Sequence, residues 1–89
     1  MPPATTANLT QVVRIRNTTG AEQELWLEPL GDRILLAPNV LYEITATDAL
    51  EEIDFSADGF TVHGWITRVS SVAGNGSTQT VWELPPGAS

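Results

Sequence analysis

The chain has 89 residues, with four arginines and no lysine against eleven acidic residues, one histidine and no cysteine, for a formal net charge of -7. This length makes one domain that buries only roughly 60 to 65% of the surface its unfolded form exposes, so a partner surface is the natural source of extra stability. The lack of cysteine excludes disulfides and thiolate metal sites, and the negative charge repels phosphate backbones and anionic lipid headgroups, so neither nucleic acid nor membrane is expected as a partner.

Met1 to Leu9 holds two prolines and no large aromatic side chain, the composition of a flexible N-terminal arm rather than of a core element. It has neither the basic nor the apolar region of a signal peptide, and no later run approaches the roughly 18 apolar residues of a membrane helix. Synthesis in the cytoplasm is expected, and the glycosylation-type triplets at Asn8, Asn17 and Asn75 then carry no meaning. From Gln11 to Asn17, Val13 and Ile15 alternate with Arg14 and Arg16, a first strand ending in the turn Asn17-Thr18-Thr19-Gly20. Glu24 to Glu28 places Leu25 and Leu27 on one face and Trp26 and Glu28 on the other, and stops at Pro29, which cannot donate to a ladder.

Arg33 to Leu36 is a short apolar run, and Ala37-Pro38-Asn39 is a turn in which proline sets φ and asparagine accepts the left-handed region. Val40 to Ala46 then alternates Tyr42, Ile44 and Ala46 against Leu41, Glu43 and Thr45, a half-buried strand. Thr47 to Glu52 has a Thr or Asp cap followed by Glu, which predicts one helical turn. Ile53 to Phe55 resumes strand character and Ala57-Asp58-Gly59 turns. Phe60 to Val72 is the longest β run, and Gly64 within it suggests a bulge where the alternation changes phase. Gly74-Asn75-Gly76-Ser77 is a hairpin signal, Thr78 to Leu84 returns, and Pro85-Pro86-Gly87 ends the strand.

Seven or eight short strands spaced about ten residues apart predict an all-β chain, a single Ig-like or jelly-roll-like β-sandwich of antiparallel strands. The expected division is an arm over residues 1–9, the sandwich over 10–85 and a tail over 86–89.

Val13-Arg14-Ile15-Arg16-Asn17-Thr18-Thr19, Leu25-Trp26-Leu27-Glu28-Pro29-Leu30-Gly31 and Leu36-Ala37-Pro38-Asn39-Val40-Leu41-Tyr42-Glu43-Ile44 together resemble a group of small bacterial and phage-borne proteins. The group's pattern is a VxVxNxT strand, an LWLEPxG strand and an LxPGxxYxV turn and strand, and Asp58-Gly59-Phe60-Thr61-Val62-His63-Gly64-Trp65 is similar to its continuation. The resemblance spans half to two-thirds of the chain and implies a β-sandwich without an assigned chemistry, so it brings no site residues with it. Asn39 stands where the group tends to have glycine, a change the turn tolerates.

Candidate sites are few. His63 is the whole supply of His, Cys and Lys for nucleophilic or general-base chemistry; it lies mid-strand with no Ser or acid at a triad-like spacing, and a plain β-strand residue is the simpler reading. No catalytic residue and no cofactor are expected. Asp54-Phe55-Ser56-Ala57-Asp58-Gly59 echoes the opening of a calcium loop, which makes Asp54, Ser56 and Asp58 a weak metal candidate. Trp65 occupies the position where such a loop needs a bidentate glutamate, so an acidic β-turn is favoured.

Trp26, Trp65 and Trp82 are many for so thin a core, although filling that core or covering its edge is the commoner use of each. Trp26 and Glu28, opposite Leu25 and Leu27, are the best candidates for a contact surface, with Trp65, Arg14 and Arg16 as further candidates. The expected function is a non-catalytic structural protein, a phage capsid decoration or minor capsid protein that binds other protein subunits within an oligomeric assembly and resides in the virion. The alternative is a free cytoplasmic module recognising a small ligand or a peptide strand.

Overall fold

A computed structural model describes residues 10–84, apart from the side chains of residues 48 and 49. The expected N-terminal arm and C-terminal tail lie outside the described residues. Six strands make one mixed sheet: β1 (Thr10–Arg16), β2 (Gln23–Glu28), β3 (Asp32–Leu36), β4 (Leu41–Ser56), β5 (Gly59–Val72) and β6 (Thr78–Glu83). No helix occurs among the described residues, and none therefore is long and apolar enough to cross a membrane.

The two long strands explain how six strands do the work of the seven or eight expected. β4 and β5 pair along their whole length as one antiparallel hairpin. The first half of β5 adds β2 and then β3 on its far side, while its second half adds β6, and β1 joins the first half of β4. Each long strand thus contributes one segment to a layer made of β3, β2, early β5 and late β4, and another to a layer made of β1, early β4, late β5 and β6. The result is an all-β, sandwich-like fold. It departs from the expected all-antiparallel arrangement at one ladder, because β2 runs parallel to β5 from Glu24↔Gly59 to Glu28↔His63.

Alternation places the core between the layers. Leu25, Leu27, Leu36 and Val62 from the first layer meet Tyr42, Ile44, Ile66 and Val69 from the second, all buried, with Ile15, Ile34, Val40, Leu50, Ile53, Phe60 and Trp82 packed around them. The facing of β1, β2 and early β4 read from the sequence holds, Leu25 and Leu27 being fully buried while Trp26 is exposed. At about 0.8 kcal/mol per buried methylene, these eight side chains are the main source of stability in so small a domain.

The predicted helical turn at Thr47–Glu52 does not form. Thr47 pairs with Trp65 and Glu52 with His63, so Asp48-Ala49-Leu50-Glu51 bulges out opposite the single residue Gly64. A cap-like Thr-Asp-x-x-Glu pattern is a local preference, and here the long-range ladder on either side overrides it. The bulge expected at Gly64 is therefore on the partner strand. Val62, Gly64 and Ile66 all face inward without a change of phase, and Leu50 folds over Gly64, where a β-carbon would lie 3.1 Å from the leucine's Cδ2. The phase change in β5 comes later, at Thr67, which is skipped between the pairs Ala46↔Ile66 and Thr45↔Arg68.

Both chain crossings between layers, β1 to β2 and β3 to β4, lie at one end and are tied by Asn17. Its fully buried side chain donates to the carbonyls of Ala21 (2.6 Å) and Leu36 (3.2 Å) and accepts from the Thr19 amide (3.0 Å) and hydroxyl (2.7 Å). Its own carbonyl accepts from the amide of Asn39, which has φ 62°, as the left-handed turn position required. No buried polar side-chain atom among the described residues lacks a partner.

Candidate functional site

The outer face of the first layer is built by register. Trp26 pairs with Arg33 on β3 and Thr61 on β5, and Glu28 stands beside His63 through the parallel ladder; Glu52 and Asp54 of late β4 oppose His63 and Thr61. One face therefore carries Glu24, Trp26 and Glu28 next to Thr61 and His63, bordered by Glu52 and Asp54. Trp65, two residues beyond His63 and on the same face, stands where the two layers bend away from each other, 53% exposed.

Trp26 is 37% exposed and its surroundings are ordered by charge. The indole Nε1–H donates to Glu24 Oε1 (3.2 Å), the guanidinium of Arg33 lies 5.5 Å from the ring centroid, and Arg33 Nη1 donates to Glu24 Oε2 (3.0 Å). A tryptophan, a carboxylate and an arginine thus satisfy one another, combining a cation–π contact with an ion pair. A hollow of about 370 Å³ on the same face is lined by Glu28, Pro29, Glu51, His63, Gly64 and Trp65. His63 Nε2 lies 3.3 Å from Asp54 Oδ2 at its border.

The five residues expected to form a contact surface are divided between two places. Trp26, Glu28 and Trp65 share the first layer's outer face. Arg14 and Arg16 lie on the outer face of the second layer, where Arg14 donates through Nε and Nη2 to Glu43 Oε2 at 3.0 and 2.8 Å, and Arg16 reaches the Asn39 carbonyl at 3.4 Å. Arg16 also borders an open groove of about 800 Å³ beside the β5–β6 hairpin, walled by Leu41, Val72, Ser77 and Gln79.

Asp54, Ser56 and Asp58 belong to the β4–β5 hairpin and have separate partners. Asp54 meets His63, the Ser56 hydroxyl donates to the Gly59 carbonyl (3.3 Å), and the Asp58 carbonyl accepts from the Glu24 amide (3.0 Å). Among the described residues no three of His, Asp and Glu are grouped closely enough to hold a metal ion. Trp82 packs on the core edge and is no part of either face.

Sequence reasoning set His63 aside as an ordinary strand residue, yet it stands at the centre of this face. The signal that places it there is the parallel pairing of Glu28 with His63, which alternation alone does not contain. Exposed apolar side chains also lie here: Trp26, Leu35 and Trp65 are on this face, whereas Phe55 (71% exposed) stands on the core side at the hairpin tip against Phe60, and Val12 and Val81 belong to the other layer. No protein-family profile, no curated protein and no solved structure matches this chain.

Proposed function

We propose that this protein is a non-catalytic structural and interaction domain that binds another protein through the outer face of its first layer. The observation that carries this reading is the grouping of Trp26, Glu28, His63 and Trp65 on one open face, while the core is filled without them. Aromatic side chains with a polar edge, partly exposed and held in place by neighbours, are what protein-binding hot spots are made of. The non-catalytic part is supported by the surroundings of His63, which among the described residues makes no hydrogen bond to a hydroxyl nucleophile.

The narrower form of the proposal is a decoration or minor capsid protein on a phage head, supported by the small all-β fold, its thin core and the family resemblance. Quantitative mass spectrometry of purified virions tests it: the narrower form predicts the protein at a stoichiometric copy number, and its absence or trace presence contradicts it. A second reading, a free module that takes a peptide strand, is favoured by one feature. β1 covers β4 only as far as Thr47, so the edge from Glu51 to Ser56 has no neighbour among the described residues and could add a strand.

A further inference from the structure

The two tryptophans of this face have unequal surroundings. Trp26 has a carboxylate, Glu24, and a cation, Arg33, stacked against it. Trp65 shares its hollow with two acidic residues, Glu28 and Glu51, and with His63, and with no arginine. The chain's four arginines are all accounted for elsewhere: Arg14 on Glu43, Arg33 on Glu24, Arg16 at the far groove and Arg68 on late β5 opposite Glu83. The sequence has no lysine, and none of the four arginines lines this hollow.

We propose that the hollow between Trp65 and the Glu28 and Glu51 carboxylates receives an arginine side chain from the bound protein. The proposal rests on the reading of this face as a protein-binding surface, and names the group it recognises. A guanidinium is planar, stacks on an indole and can present paired N–H donors to carboxylates; one site away Arg33 lies over the Trp26 ring and donates through Nη1 to Glu24. Glu52 and Asp54 on the neighbouring strand add negative potential, and the charge of -7 draws a basic segment toward the surface. An acidic or purely apolar side chain would leave both glutamates without a counter-charge.

The test is a titration of the ¹⁵N-labelled full chain with N-acetyl-arginine amide and, separately, with its uncharged isostere N-acetyl-citrulline amide, followed through backbone amides and the three tryptophan indoles. The arginine compound should move the Trp65 indole and Gly64 amide signals saturably, with the citrulline compound silent. In Glu28→Gln/Glu51→Gln, binding should weaken roughly fivefold or more while the Trp82 indole keeps its position as a report on the fold. Equal responses to the two compounds, no response to either, or shifts confined to Trp26 would overturn the proposal. Trp65→Ala in the assembled complex separates it from the wider reading. If assembly is lost on Trp65→Ala but the arginine compound does not bind free protein, the arginine site falls and the interaction face stands. If the arginine compound binds and assembly is untouched by Trp65→Ala, the face falls and with it an arginine supplied by the bound protein.

Discussion

Trp82 and Asp32, fifty positions apart, close the open side of the sandwich: the indole Nε1–H on β6 donates to Asp32 Oδ2 on β3 at 2.9 Å. β6 and β3 belong to different layers and to no common ladder, so this contact and the packing of the Trp82 ring on the core link the two far edges. Trp82→Phe keeps most of the ring and removes the donor. It should cost about 1 kcal/mol, read as a fall in Tm of roughly 4–8 °C, and Asp32→Ala should add little on top of it in a double-mutant cycle.

Asn17 is the most consequential polar residue. Asn17→Ala would strip partners from the Thr19 amide and the Ala21 and Leu36 carbonyls at the end where both crossings meet. A loss of about 2–3 kcal/mol is expected in denaturant unfolding. Asn17→Asp should be at least as damaging. It keeps the acceptor for Thr19 but turns a carboxylate oxygen toward two carbonyls that the amide nitrogen now serves.

Two glycines set where strands can approach, and they should rank sharply. A β-carbon on Gly59, which has φ 154°, would overlap the backbone carbonyl oxygen of Glu24, the first rung of the parallel ladder. Gly59→Ala should cost more than about 3 kcal/mol and detach β2, a loss visible in the amide exchange of Glu24 to Glu28. Gly64→Ala meets the flexible end of the Leu50 side chain at 3.1 Å and its Cα at 3.4 Å, and at φ 155° it also strains the backbone, so it should cost about 2 kcal/mol, of which only the side-chain part is relieved when Leu50 is already alanine.

The second layer's charges should matter far less. Arg14 is well exposed where it pairs with Glu43, and Arg14→Ala should change stability by less than about 1 kcal/mol, with that small effect vanishing at high salt.

Much of this fold was legible from alternation. Leu25 and Leu27 inward with Trp26 outward, Tyr42, Ile44 and Ala46 inward, the left-handed Asn39 and the Gly74–Ser77 hairpin all follow from residue type and period two. What escaped depends on which strands meet. The Thr47–Glu52 segment carries helix-start residues, and only the ladder to β5, with Leu50 laid over Gly64, makes it a bulge. Asn17 reads as a turn residue, and its burial follows from two crossings arriving at the same point. For the candidate site, Trp26 was found through its opposition to Leu25 and Leu27. Glu28 follows from the same alternation, but that His63 and Trp65 stand beside this pair was out of reach, because it comes from a parallel register between strands more than thirty residues apart.

On the proposed function, the face bearing Trp26 and Trp65 meets the partner. Neither ring is needed by the core, so Trp26→Ala/Trp65→Ala should fold with stability changed by no more than about 1 kcal/mol while binding falls tenfold or more. The most direct measurement is oxidative footprinting of the protein, free and in its native assembly, read by mass spectrometry at each tryptophan. Assembly should protect Trp26 and Trp65 and leave Trp82 unchanged; equal oxidation of Trp26 and Trp65 in both states would contradict an interface on this face.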